Sequence, residues 1–536
     1  MQRRNFITST AGATLALGGL PLPAAAQARP KDVLVVANEF GPNSLDIQTL
    51  GANRPAYGVS WLVYDRLMTY GKRTLPDGRV VYDRNKLEPE LAESWQMAPD
   101  GMAVTFKLRR NAKFHDGTPV TAKDVKWSFD RAVSVGGFAT FQMGAGSLEK
   151  PEQFVVVDDH TFRVNFLRKD KLTMNNIAVP VPCIFNSELV KKSATPQDPW
   201  GLNWTRNNTA GGGAFKIEAF RPGQEIVYVR NDDWKSGPAP KLRRIVQREV
   251  PNAGNRRALL VKGDIDMTYD MPPKDFGELA KDGGSVKVAT MPIENAMFYV
   301  GMNVTKPPFN NEKIRQAVAY ALPYDKIMDN AVYGRGAKLY GAAAGPVKTT
   351  AWPQPTGYRT DITRAKALMA EAGVPNGFET TLSLDLGGAT VGEPAAVLIQ
   401  ESLAQIGIKT QINKIPGATW RSALLKKDMP MIINRFGGWL DFPEYFFYWC
   451  YHGQNAVFNT MSYQNPKLDK VITNARFAEN KPIYDSMVRE MIQIAYDEVP
   501  RIPLFQPSQD VAMQSNVMGY MYWFHLQPDY RQLWKS

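Results

Sequence analysis

Residues 113–131 read KFHDGTPVTAKDVKWSFDR, and this stretch sets the fold class. The chain leaves a strand near His115, turns through Asp116 and Gly117, and enters a helix at Thr121. Thr121 and Asp124, three residues apart, form a capping box, and Val125, Phe129 and Ala132 then fall on one side of the helix. Upstream, Pro99-Asp100-Gly101 is a turn, and Val104, Phe106 and Leu108 alternate on one face of the strand that follows. A hairpin feeding a capped amphipathic helix predicts an α/β or α+β beginning. His115 invites a catalytic reading, but it sits between a strand and a turn with no nucleophile beside it.

Further along, Asp361 is placed to cap a helix whose inner face is Ala365, Leu368, Met369 and Ala372, and which Gly373 and Pro375 end. The strand TTLSLDL (380–386) follows, then the Gly387-Gly388 break. Ala396, Ile399, Leu403 and Ile406 next recur at helical spacing, Gly407 stops that helix, and IKTQINKI (408–415) alternates again. Strand, helix, strand predicts a parallel crossover, whose strand carboxyl ends are where ligands of open α/β sheets lie.

The first 28 residues are expected to be an export leader. Arg3 and Arg4 precede an apolar, small-residue run from Phe6 to Leu22, and Ala26-Gln27-Ala28 is an A-x-A cleavage site. The paired arginines resemble a twin-arginine signal, and an ordinary secretory leader fits as well. No cysteine follows the apolar run, so no lipid anchor is expected, and no later stretch reaches the 18 or so apolar residues of a membrane span. The expected product is soluble and periplasmic, long enough for two or three domains. Its formal charge of +12 includes the two leader arginines; the remaining basic residues are scattered, with no run of five, so nucleic acid is not an expected partner. Only Cys183 and Cys450 are present, far apart, and are read as separate buried thiols.

Residues 435–444, RFGGWLDFPE, place a cation, an uncovered Gly437-Gly438 backbone, an indole and a carboxylate within ten residues. Arg435 and Asp441 suit the two ends of a zwitterion, because charges taken out of water need paired, hydrogen-bonded partners. The plain alternative is a surface turn with a gap-filling Trp439.

Several blocks carry a resemblance. KFHDGTPVTAKDVKWSFDR resembles the signature of the extracytoplasmic solute-binding proteins of peptide and nickel ABC importers. So do GGGAFKIEAFRPGQEIVYVRNDDW (211–234), VKGDIDMTYDM (261–271), MNVTKPPFNNEKIRQAVAYALPYDKI (302–327) and ALMAEAGVPNGF (367–378), in that order. The resemblance implies a periplasmic binding protein type II-like α/β fold, two lobes around a cleft with a small inserted domain. Mapped here, lobe I takes residues 29–66, 200–290 and 503–536, the insert 67–199, and lobe II 291–502. The proline-rich VPRIPLFQP near residue 500 suits the return crossing.

Peptide-binding members hold the ligand's amino group with an Asp just beyond a Gly-Trp. Gly438, Trp439 and Asp441 match that pattern, with a spacing one residue shorter than in some members. Arg435 stands where oligopeptide binders carry an arginine for the ligand carboxylate. Trp420 and Lys427, on one helical face of TWRSALLKKD, resemble a tryptophan and a basic residue lining the same cavity; they serve equally as a core filler and a solvated charge. Gly51 and Ala52 occupy the stretch that lends backbone groups to an extended peptide. The resemblance therefore implies a monomeric receptor that delivers a peptide or peptide-like solute to permease subunits, without cofactor or metal. Receptors for opines, glycosides or metal chelates share the scaffold. An exported enzyme using Asp441 as base is the remaining alternative. The motifs G-x-S-x-G, H-E-x-x-H, G-x-x-x-x-G-K-[ST] and G-x-G-x-x-G are missing, which argues against an enzyme. Cys450 and His452 keep metal capture as a minor reading.

Overall fold

The computed structural model describes residues 30–293, 295–454, 458–523 and 527–536. The expected leader, its cleavage point before Arg29, and His525 lie outside the described residues. Among the described residues, strands from two lobes join in a twelve-stranded sheet. In the first lobe, Val33–Asn38 is almost wholly buried, as a parallel strand covered on both faces must be. It pairs in parallel with Arg244–Glu249 and Met267–Thr268, and the antiparallel strands Glu225–Arg230 and Phe215–Arg221 extend the edge. In the second lobe, Glu379–Asp385 lies parallel to Lys409–Ile415 and Met431–Gly437. The helix Ala389–Ala404 joins the first two of these, with Ala396, Ile399 and Leu403 fully buried. The strand–helix–strand crossover is thus present as expected.

One 14-residue strand, Arg501–Gln514, belongs to both lobes. Arg501–Phe505 pairs with Ala296–Met302 of the second lobe, and residues 508–514 pair with Val286–Pro292 beside the first. Pro503 and Pro507 lie within it and donate no hydrogen bond to a ladder. Opposite Pro503 the register shifts at Phe298/Tyr299, and by Pro507 the strand has changed partners. The helix Ile362–Glu371 begins at Asp361, whose side chain accepts from the Arg364 N–H, and buries Ala365, Leu368 and Met369. Ala372 follows the last turn, half-buried, and Gly373 takes φ +78°.

The inserted domain is a four-stranded antiparallel sheet, ordered Ala92–Met97, Ala103–Leu108, Thr161–Asn165, Phe154–Asp158. Helix Ala122–Ser134 lies on it, closed by the Thr121/Asp124 capping box. Phe129 sets its ring edge-on to Phe154 and Phe162. Two of the sequence blocks that carry the resemblance dock on each other here. The His115 N–H donates to Gly211 O at 2.9 Å, and its ring Nε2 lies 3.0 Å from Gly213 O. Burial pushes the His115 pKa down to about 4, so the ring is neutral and structural. A side-chain carbon on Gly211 or Gly213 would overlap the Val63 backbone, which explains the glycine run. Cys183 and Cys450 are free and buried. Among the described residues no helix is long and apolar enough to cross a membrane.

Candidate functional site

Strand Met431–Gly437 delivers RFGGWLDFPE to the carboxyl ends of the second lobe's parallel strands, and Pro443 opens the next helix, Pro443–Cys450. Asn295, itself at φ +50°, builds the turn between them. Its carbonyl accepts the Gly438 N–H at 3.2 Å, and its Nδ2 donates to the Leu440 carbonyl. Any side-chain carbon at Gly438 would meet the Tyr445 ring and Asn295, so this position needs glycine.

The turn aims Trp439 out of its own lobe. Its ring stands edge-on to Tyr57 of the first lobe, centroids 5.0 Å apart, and to Phe138 of the insert at 4.8 Å. Tyr57 and Phe138 are themselves stacked at 6.4 Å. Two residues on, Asp441 keeps only 7% of its side chain exposed and forms an ion pair with Arg84 from the insert hairpin strand Val80–Pro89. The adjoining helix adds more contacts to the insert: Glu444 with Lys171 at 3.2 Å, and Tyr445 OH donating to Gln142 Oε1 at 2.7 Å. The segment is therefore a three-way junction.

Arg435 is exposed, and its charge acts on two acids at facing strand ends. Burial raises the pKa of Asp270, after strand Met267–Thr268, and of Asp385, at the end of Glu379–Asp385; Arg54 and Arg435 pull both back down. The Glu39 N–H donates to Asp270 Oδ2 at 3.0 Å, and the Glu39 carboxyl is raised by burial, then by Asp270 and Asp385. Acids and arginines from both lobes thus share one field. Gly51, at φ +79°, is exposed; its carbonyl accepts from Asn43 Nδ2 at 2.9 Å, and the Ala52 N–H donates to Thr49 O at 3.1 Å. Leu50, the preceding residue, packs on Gly137 next to Phe138, so this loop adjoins the Trp439 cage.

Trp420 is buried on helix Gly417–Lys426. That helix ends at Lys426, and Lys427 takes a left-handed φ of 57°, so the shared helical face expected for Trp420 and Lys427 does not exist. The Lys427 ammonium donates to Asn459 O, and burial, with Arg501 adding, pushes its pKa down to about 8. Lys427 precedes the seven-residue strand Met431–Gly437 and Asp441 follows it, a separation along the chain of roughly 20 Å. Trp439, Asp441, Gly438, Gly51 and Ala52 are gathered around the junction, Arg435 stands over the facing strand ends, and Lys427 lies apart. Among the described residues no three metal-ligating side chains cluster. Burial pushes the Cys450 thiol up to about 12, which leaves it protonated and a poor metal ligand.

Sequence reasoning missed Arg84, Tyr57, Phe138 and Asn295. Asn295 alone carried a local cue, an Asn between two apolar strands where a positive φ is tolerated.

Two lobes that share a strand and face each other across strand ends, with a small domain inserted in the first, define a type II periplasmic-binding-protein fold. The model for bacterial extracellular solute-binding proteins, family 5 (middle), matches residues 86–458, and the chain belongs to that family. The Probable D,D-dipeptide-binding periplasmic protein DdpA of Escherichia coli (strain K12) is 29% identical over 511 residues, 93% of each chain. Heme-binding protein A of Haemophilus influenzae is 28% identical over 485 residues, 86% of this chain and 84% of that one. Among solved structures, the ABC transporter-associated periplasmic binding protein DppA from Helicobacter pylori, in complex with the peptide STSA, matches with a TM-score of 0.79. Its identity is 22%, over 94% of this chain and 98% of that chain.

Proposed function

We propose that this chain is the periplasmic receptor of an ABC importer, which captures a peptide or peptide-like solute by lobe closure and hands it to membrane permease subunits. In this reading residues 29–66, 200–290 and 503–536 are lobe I, 67–199 the insert and 291–502 lobe II. The leader is removed on export, and the released protein is an unanchored monomer that binds without chemistry and has no business with nucleic acid. The observation that carries the reading is the junction itself: Trp439 and Asp441 of one lobe are covered by Tyr57 of the other and by Phe138 and Arg84 of the insert. A ligand held there touches every part that moves, so its differential affinity for the closed form drives closure.

Asp441 anchors the ligand's positive group in this proposal, Arg435 its negative end, and the Gly51–Ala52 loop its backbone, with Gly438, Trp439 and Trp420 completing the cavity, while Lys427, at the other end of the strand, stays outside it. A charge-assisted hydrogen bond contributes about 1.5–3 kcal/mol. Asp441→Asn keeps shape and removes charge, so it should weaken binding of ligands with a free amino group by roughly 10- to 100-fold and leave the fold intact. Calorimetry checks this; unchanged affinity reduces Asp441 to a turn residue. The decisive experiment is mass spectrometry of whatever the purified protein releases on denaturation, followed by a thermal-shift panel of peptides, opines, glycosides and metal chelates. Chelates belong in it because a heme-binding protein is among the relatives. No released solute, no thermal shift and no compaction on scattering would sink the proposal.

A further inference from the structure

We propose that the second lobe contains a buried anion site, built on Arg501 and suited to a halide such as chloride, at the end of the lobe away from Asp441. The site is separate from the one that captures the transported solute.

Arg501 opens the strand Arg501–Gln514 and lies opposite Gly301, which pairs in turn with Ile432 near the start of Met431–Gly437. Its side chain is almost wholly buried. The guanidinium stands 4.4 Å over the Tyr299 ring and 5.6 Å from the Tyr451 ring. Its Nη2 donates to Phe458 O at 2.5 Å and reaches Thr460 Oγ1 at 3.4 Å, whereas Nε and Nη1 have no hydrogen-bond partner. An aromatic face attracts the charge but offers no acceptor to N–H groups that lie in the guanidinium plane. The Tyr299 hydroxyl, which also bears on Arg501, accepts from Asn434 Nδ2 at 3.1 Å and faces Thr460 Oγ1 at 3.5 Å.

Negative charge is what this spot lacks. The groups that act on Arg501 are Cys450, Tyr299 and Tyr451, and among the described residues no carboxylate pairs with it. All three are neutral: burial pushes the thiol up to about 12 and raises both hydroxyls. The other charge nearby has the same sign. Lys427 donates to Asn459 O, one residue along from the carbonyl that Arg501 holds, and Arg501 adds to the burial that lowers its pKa. Two cations thus grip consecutive carbonyls without an acid between them.

A guanidinium taken out of water is tolerated when it is both hydrogen-bonded and paired. Water meets the first need alone; an anion meets both. The Tyr451 hydroxyl, buried and likewise without a hydrogen-bond partner, adds a third donor, so the unsatisfied atoms beside Arg501 are donors awaiting an acceptor. Packing selects a monatomic ion over sulfate or phosphate, because even a side-chain carbon on Gly301 would overlap Met461. Phe458 packs on Phe436, in the strand that leads to RFGGWLDFPE. The ion therefore stabilises the lobe behind the solute site without touching the solute.

The experiment uses the full mature chain. Thermal unfolding is followed in sodium chloride, sodium bromide and sodium gluconate at one ionic strength, so that screening is the same in each. The halides should raise Tm saturably, as a ligand of the folded state does, and Arg501→Gln should abolish the rise. Should Arg501→Gln fail to fold, Tyr451→Phe keeps the ring, removes one donor and should weaken the halide effect severalfold. Crystals grown in bromide should show an anomalous peak within hydrogen-bonding reach of Arg501 Nε or Nη1. Equal Tm in the three salts, a halide effect that survives Arg501→Gln or Tyr451→Phe undiminished, or water in place of the bromide peak would each overturn the proposal.

Discussion

The insert meets each lobe through buried acids, and the two seams are built differently. On the first-lobe side, Arg131 and Asp46 are both completely buried, at 2.6 Å. Arg131 also donates to Gln48 Oε1 at 2.8 Å, Trp200 O at 3.0 Å and Thr205 Oγ1 at 3.0 Å. Asp46 accepts in addition from Thr205 Oγ1 and the Gln48 N–H. On the second-lobe side, Arg84 and Lys171 stay partly in water while their acids, Asp441 and Glu444, are buried, and one oxygen of each acid lacks an aligned hydrogen bond. A pair such as Arg131–Asp46, whose donors and acceptors are satisfied, behaves as interior. Pairs with wet cations part at lower cost, and the second-lobe side combines them with one buried pair, Arg476 with Asp170 at 2.6 Å.

The largest test of this contrast is Arg131→Met. It leaves Asp46 buried without its cation, which costs about 3–5 kcal/mol, read as a lowered urea midpoint. A loss under 1 kcal/mol would make the two seams equivalent. Next in size is a pH effect at the same fixed seam. Asp65 bridges to Ile184 of the insert and accepts from Trp234 Nε1 and Ser236 Oγ, each at 2.8 Å. Burial pushes its pKa up to about 7, with Glu90 adding and the two hydrogen bonds and Arg66 opposing. The folded chain therefore keeps a proton that the unfolded chain releases near pH 3.8. Its contribution is full below that pH and falls as pH rises to about 7, by about 3–4 kcal/mol in total. Asp65→Asn should flatten that part of the stability–pH curve; an unchanged slope assigns it elsewhere.

What sequence reading reached, and what it did not, follows the same division between near and far. The Thr121/Asp124 box, the Asp361 cap and the crossover through Ala389–Ala404 were legible because each is decided by residues within a turn or two of one another. Asp441 was legible as a candidate because an acid beside Gly-Trp is a local pattern. Its partner was not: Arg84 lies more than 350 residues away in the chain, in YDRNKLEP, where nothing marks it. Trp439 could be read either as filler or as ligand-facing, and only the arrival of Tyr57 and Phe138 from two other regions shows which surface it joins. The helical face expected to join Trp420 and Lys427 failed for a local reason, a left-handed residue that ends the helix one position early.

The smallest expected effect gives the sharpest comparison. Glu444 is fully buried and its carboxyl is raised, first by burial, with Lys171 and the Tyr484 hydroxyl opposing. Glu444→Gln keeps an acceptor for Tyr484 OH, which now donates to Oε2 at 2.8 Å, and frees Lys171 to turn to water. Desolvation of the acid and attraction to a half-wet lysine nearly cancel, so global stability should change by less than about 1 kcal/mol. A double-mutant cycle with Lys171→Met should likewise give a coupling energy under about 1 kcal/mol, against several for the cycle of Arg131→Met with Asp46→Ala. Urea denaturation of the seven proteins measures both cycles. Equal couplings would mean that the insert is welded to both lobes and that closure must turn about a different axis; unequal ones place the motion between the second lobe and everything else.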